Sequence, residues 1–360
     1  MNRIDALDWQ RGILAISIML YHLTGWQLFE LDSSSLLGRL GIYGVSMFFV
    51  LSGLSMALVY NRYIEGLQSS VHFFIRRIFR IWPLLWIAVG FSVAVSLAAQ
   101  KTPDWYAVAL NLTTAFGFVN PSLYISTGAW SIGNEMVYYA LTPLIIYAFN
   151  KSLALGNVLT GATIMVGIMF SFHILHSDQS LVVQWANYIN PFNNLFLYCA
   201  GIALYYNARN WQPSKMAILT LFTLPLLLFL FYPAQGDQIQ IVTGASRVVF
   251  CLASVALVLA FYKNAFAVPR ALSAPLTHLG VLTYGVYLLH PIVYPIVLLA
   301  LKKLHIQPGS YGVVAVTILA TIAAAQASFK LMEEPFIRLG KKMTSRQNAA
   351  PQSGDCVARP

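Results

Sequence analysis

Long apolar stretches recur along the chain, separated by polar breaks. They fall near 10–31, 38–60, 82–99, 128–150, 155–173, 190–206, 214–233, 243–262, 277–300 and 311–332. Each approaches the roughly 17–25 residues that an α-helix needs to cross a hydrocarbon core about 30 Å thick. The weakest is 190–206, interrupted by Asn190, Pro191, Asn193 and Asn194. The pattern predicts an all-α membrane protein, a polytopic bundle of about ten transmembrane helices occupying residues 1–335. A basic, disordered cytoplasmic tail is expected over 336–360. No repeat of 20–50 residues and no separate soluble domain is visible, so the chemistry has to reside in or beside the bundle.

Composition agrees with this pattern. Hydrophobic residues make up 58% of the chain and charged residues 9%, against about 25% charged in ordinary soluble domains. The formal charge of +10 would point to nucleic acid in a soluble protein, but basic loops absorb it here. With the N-terminus inside, 17 of the 22 Lys and Arg residues fall on the cytoplasmic side. Only Arg39, Lys101, Arg247, Lys302 and Lys303 are left outside. The positive-inside rule therefore predicts that both termini are cytoplasmic, and no nucleic-acid partner is needed. The three cysteines, Cys199, Cys251 and Cys356, form no metal or redox spacing. The first apolar run exceeds a signal-peptide core and no small-residue cleavage site follows it.

Ionisable groups within spans are costly and become functional candidates. Arg11 and His22 open and close "RGILAISIMLYH". Eleven helical residues bring them onto one stripe, roughly 16 Å apart along the axis. Glu135, in "WSIGNEMVYYALTP", enters from the opposite side, and counting residues from each edge puts it at a depth similar to that of His22. A carboxylate within bonding range would fix the imidazole tautomer and raise its basicity. The alternative is polar contact between helices. His290, beside Pro291, is either functional or a packing and hinge residue. Ser52, in "FFVLSGLS", is either a nucleophile or a small residue permitting close helix contact. Arg76, Arg77 and Arg80 cluster before the third span, with 76 and 80 on one face. They read equally as a topology anchor on anionic lipids or as a clamp for phosphates. Asp8, three residues before Arg11, is placed to pair with it.

Together these segments resemble a known family. "RIDALDWQRGILAISIMLYH", "GVSMFFVLSGLSMA", "FFIRRIFRIWPLLW", "WSIGNEMVYYALTP", "TYGVYLLHPIV" and "LMEEPF" follow, in order, the motifs of the bacterial integral-membrane acyltransferase-3 family. Leu54 stands where the family usually has Phe, and Gly133 and Asn134 are less usual. The resemblance implies a ten-helix bundle in the bacterial inner membrane. It would move an acyl group, acetyl above all, from cytoplasmic acyl-coenzyme A to a hydroxyl of a cell-envelope or exported saccharide, free or lipid-linked. It implies that His22 is catalytic and that Arg11 belongs to the Arg…His pair. It also implies that Arg76, Arg77 and Arg80 lie near the donor nucleotide, and that Glu135 and Glu333 are the acidic positions. Some members add a C-terminal extracytoplasmic esterase-like domain, which is not expected in this chain.

The expected mechanism has His22, oriented by Glu135 or Asp8, deprotonate the acceptor hydroxyl as it attacks the thioester. An acyl-histidine intermediate is the variant. Ser52, Tyr138 and His290 are the candidate oxyanion stabilisers. No metal is called for. A transporter or flippase of an anionic or lipid-linked sugar would use similar charges, but it would be expected to carry inverted repeats. The sequence sets no oligomeric state.

Overall fold

The computed structural model describes residues 4–263 and 268–346. Among the described residues, ten long helices each overlap one of the predicted apolar stretches. They are α1 (Asp5–Gln27), α2 (Leu36–Tyr60), α3 (Leu67–Ala98), α4 (Ala129–Lys151), α5 (Leu153–Met169), α6 (Pro191–Ala208), α7 (Lys215–Phe231), α8 (Gly244–Tyr262), α9 (Arg270–Lys303) and α10 (Gly309–Ser328). No strand occurs among the described residues. Among the described residues, six helices are long and apolar enough to cross a membrane by length and composition, which makes this an integral membrane protein.

Several helices run past the apolar stretch that predicted them. α3 begins at Leu67 rather than near residue 82, so the arginine-rich segment is helical and continuous with the span. The C-terminal segment differs more. A single π-turn, Phe329–Glu333, leads into α11 (Glu334–Arg346). The predicted disordered tail from residue 336 is thus helical as far as Arg346. One face of α11 packs on α3, with the Phe336 ring 6.3 Å from Phe79 and Arg76 Nε donating to Thr344 Oγ1 at 2.8 Å. Residues 347–360 of that expected tail lie outside the described residues.

Two close helix crossings hold the centre of the bundle. A Cβ at Gly280 of α9 would lie 2.2 Å from the Asp8 carbonyl oxygen of α1. A Cβ at Gly53 of α2 would lie 2.0 Å from the Tyr198 carbonyl oxygen of α6. Only glycine allows the backbones to come this near, and small residues at crossings are how apolar helices associate where water supplies no driving force. The first crossing presents Asp8 and Arg11 beside α9; the second fixes Ser52 and Ser55 on the opposite wall.

Arg39 and Arg247, expected among the outside charges, are instead buried, at 2% and 3% exposure. Arg39 donates to the backbone carbonyls of Ser33, Phe229, Tyr232 and Ala234. It thereby ties the α1–α2 loop to the end of α7. Arg247 donates to the Asn193 carbonyl at 2.7 Å. Counting loop charges cannot see a guanidinium folded inward onto orphan carbonyls at helix ends.

Candidate functional site

A cavity of about 910 Å³ runs between α1, α2, α3, α4 and α9, with α11 lining one end. Along α2 its lining extends from Val45 to Val59, roughly 21 Å at the rise of an α-helix. One end is basic, with Arg11, Arg77, Arg80 and Lys341. At the other end lie Phe48, Ser131 and Tyr287.

Near the basic end, Arg11 is held on two sides. Its Nη1 donates to Asp8 Oδ1 at 2.9 Å and its Nη2 to Ser55 Oγ at 2.5 Å. The pairing of Asp8 with Arg11 is as the spacing predicts. Arg77 Nη2 donates to the Tyr60 hydroxyl at 2.9 Å, and its guanidinium lies 5.3 Å from the Tyr60 ring and 5.8 Å from that of Tyr139. Of the three clustered arginines, Arg77 and Arg80 line the cavity. Arg76 does not: it stacks over Tyr63 at 4.7 Å and bonds Thr344, so it fastens α11 to α3. Arg80 lies about 40° from Arg76 and about 60° from Arg77 round the helix, so it joins Arg77 in the cavity, while Arg76, about 100° from Arg77, faces α11.

Glu135 faces the middle of the cavity. Its Oε1 accepts from Ser52 Oγ at 2.5 Å and from the Tyr139 hydroxyl at 2.5 Å. The expected pairing of Glu135 with His22 is not formed. Bonded neighbours on α2 explain why: Arg11 reaches Ser55 while Glu135 reaches Ser52. Glu135 therefore sits only about one turn beyond Arg11, whereas His22 is eleven residues, about 16 Å, along α1. The start of α4 is not an outer edge from which depth can be counted. Short helices at Trp105–Leu112 and Phe116–Val119 precede that start, and Gly117 packs directly on Gly133.

His22 instead meets His290. Nδ1 of His22 lies 2.9 Å from Nε2 of His290, and Nδ1 of His290 lies 3.0 Å from the Val286 carbonyl oxygen. A carbonyl only accepts, so in the neutral ring the His290 proton is on Nδ1 and its Nε2 carries the lone pair. His22 must then donate from Nδ1, which leaves its own Nε2 free as a proton acceptor. Trp26, one turn further along α1, stacks on the His22 ring with centroids 5.2 Å apart. It is 40% exposed. Tyr294, whose ring lies tilted against Trp26 with centroids 5.3 Å apart, donates to Gln27 Oε1 at 2.8 Å. His22 is half-buried and His290 buried.

The histidine pair is separated from the cavity by one layer of side chains. Tyr287 ends the cavity on α9, and His290 follows it by about one turn. Tyr287 donates to the Gly128 carbonyl, shares a bond with Ser131 Oγ at 2.9 Å, and meets Phe48 edge to face at 6.2 Å. The way from Arg11 to His22 along α1 is thus closed in this structure by Phe48 and Tyr287.

Glu333, 4% exposed, lines the cavity and accepts from Ser328 Oγ at 3.3 Å. Tyr138 is not in the site: it is buried on the far side of α4, and its hydroxyl donates to the Pro191 carbonyl. Tyr139, Ser55, Trp26 and Lys341 were missed. Tyr139 and Trp26 follow Glu135 and His22 by four residues, the helical spacing that would have found them. No group of three or more His, Cys, Asp or Glu able to hold a metal ion occurs among the described residues.

The family model of the acyltransferase domain matches residues 4–328. The chain is 23% identical to the peptidoglycan O-acetyltransferase OatA of Listeria monocytogenes, over 94% of this chain and 56% of the relative. It is 25% identical to the exopolysaccharide production protein ExoZ of Rhizobium meliloti, over 84% of this chain and 91% of the relative. The chain thus spans little more than half the length of the first of these relatives. No solved structure matches it.

Proposed function

Because the chain belongs to the acyltransferase-3 family, whose model covers residues 4–328, we propose that it is a membrane-embedded O-acyltransferase. It takes an acyl group, acetyl first among candidates, from acyl-coenzyme A and places it on a saccharide hydroxyl at the cell envelope. The acceptor class comes from the names of its relatives, a peptidoglycan O-acetyltransferase and an exopolysaccharide production protein. The observation that carries the reading is the placement of the His22–His290 pair one turn beyond a cavity whose other end is basic.

In this reading the donor's phosphates stay at Arg11, Arg77 and Arg80, on the cytoplasmic side, where guanidinium forks suit phosphate oxygens. The slender thioester arm fills the cavity past Glu135, which holds Ser52 and Tyr139 against the wall. Phe48 and Tyr287 part to let the thioester reach His22. The acceptor hydroxyl gives its proton to Nε2 of His22 as its oxygen attacks the thioester carbonyl. The carbon–sulfur bond breaks, and the imidazolium returns the proton to the departing sulfur. His290 holds the His22 tautomer, as an orienting group does for a catalytic imidazole. The acceptor comes from the Trp26 side, where an exposed indole beside polar Gln27 and Tyr294 offers a face for the apolar side of a sugar ring.

Mass spectrometry of envelope glycans with and without the gene tests this reading. The expected difference is one acyl unit per modified sugar, and identical glycans would overturn it.

A further inference from the structure

The basic end of the cavity gathers four cations, and only Arg11 has an acidic partner within ion-pair distance among the described residues. Arg11 is committed to Asp8 and Ser55, and Arg77 to Tyr60. Arg80 and Lys341 line the same space and are exposed, yet neither side chain makes a hydrogen bond or ion pair among the described residues. An unpaired guanidinium and an unpaired ammonium at the mouth of one cavity form a receptor for a multivalent anion.

Lys341 comes from α11, beyond the last residue matched by the family model. Its direction follows from the helix. Glu333, Ile337 and Lys341 are spaced by four residues, share one stripe, and all three line the cavity. The neighbouring face is anchored to α3: Phe336 meets Phe79, a Cβ at Gly340 would sit 2.8 Å from the Phe79 Cβ, and Thr344 accepts from Arg76. Lys342 is exposed and does not line the cavity. Glu333, buried on the same stripe, lies within electrostatic reach of Arg80, and Lys341, two turns further along, is the exposed cation of that stripe.

We propose that α11 completes the donor site, with Lys341 and Arg80 together taking the phosphates of the acyl carrier. This rests on the acyltransferase reading and adds to it a binding residue from outside the matched domain. The arginine motif before the third span is then only part of the phosphate site, and Arg76 serves it indirectly by holding α11 in place.

Two sources could supply the phosphate: the nucleotide end of the donor, or the headgroup of an anionic lipid against the basic helix. The test uses full-length protein in nanodiscs of phosphatidylcholine alone and of phosphatidylcholine with phosphatidylglycerol. It compares kcat/KM for acetyl-coenzyme A with that for acetyl-pantetheine, which carries the same thioester without phosphates. Lys341→Glu should reduce the preference for acetyl-coenzyme A about tenfold in both lipids, the size of one charge-assisted bond. Lys342→Glu should leave the preference as it is. A preference unchanged by Lys341→Glu, or changed only with phosphatidylglycerol present, overturns the proposal. Wild-type protein that turns over neither thioester overturns the acyltransferase reading and this one with it.

Discussion

Nε2 of His290 lies 2.9 Å from Nδ1 of His22, although 268 residues separate the two in sequence. With the His290 proton directed at the Val286 carbonyl, the pair has one consistent neutral arrangement, and it leaves the free lone pair on His22 Nε2. In the proposed mechanism this ranks the two groups: His22 would face the reaction, and His290 would position it.

Substitution of His290 should reveal that rank. Glutamine retains an acceptor for the His22 Nδ1 proton, whereas leucine removes it and frees the ring to turn. Transfer to the saccharide should fall by roughly 100-fold in His290→Leu and by much less in His290→Gln, since losing the orienting partner of an imidazole mainly costs the correct tautomer. The ratio of the two single-turnover rates is the measurement. Equal losses would show that His290 does not act through its bond to His22.

Phe48 and Tyr287 stand between the cavity and the histidines. Phe48→Trp adds bulk at that point while leaving the basic end untouched. It should slow transfer by about tenfold or more, because a small displacement of the reacting carbon is costly, while coenzyme A binding measured by calorimetry holds within about twofold. Weakened binding would mean that the residue contacts the donor head instead.

Glu135, Ser52 and Tyr139 act as one unit, because a single carboxylate oxygen accepts both hydroxyl protons. Stability measured for Glu135→Gln, Tyr139→Phe and the double variant should show coupling of about 1–3 kcal/mol, as contacting groups in one network do. Additive effects would contradict the shared bond.

Arg39 is a structural clamp whose four acceptors are all backbone carbonyls. Arg39→Met should cost about 3 kcal/mol, because buried acceptors lose a charged donor. Arg39→Lys should restore only part of this, since an ammonium cannot reproduce the fork. Unfolding in detergent, followed by circular dichroism, measures both.

Much of the bundle was legible in the apolar pattern, because a run long enough to span a bilayer is also long enough to be a helix. Where charged residues carry a helix beyond its apolar run, as in "FFIRRIFR" of α3 and "EPFIRLGKKMTSR" of α11, hydropathy stops before the helix does. That is why α11, and Lys341 with it, was read as a tail. The candidate residues themselves were mostly visible, since an ionisable group in a greasy segment stands out. Their partnerships were not. Glu135 and His22 looked level because short helices ahead of α4 upset the depth count, and His290 carried no local sign that it faces α1. Asp8 with Arg11 was readable because both lie on one helix, three residues apart.

The role of His22 as the base is tested most directly by measuring transfer of radiolabelled acetyl from acetyl-coenzyme A to the isolated envelope glycan by purified His22→Gln protein. Loss of a general base should slow the reaction about 100- to 10,000-fold, with coenzyme A binding intact. A His22→Gln protein that transfers acetyl within about twofold of the unaltered rate would contradict it.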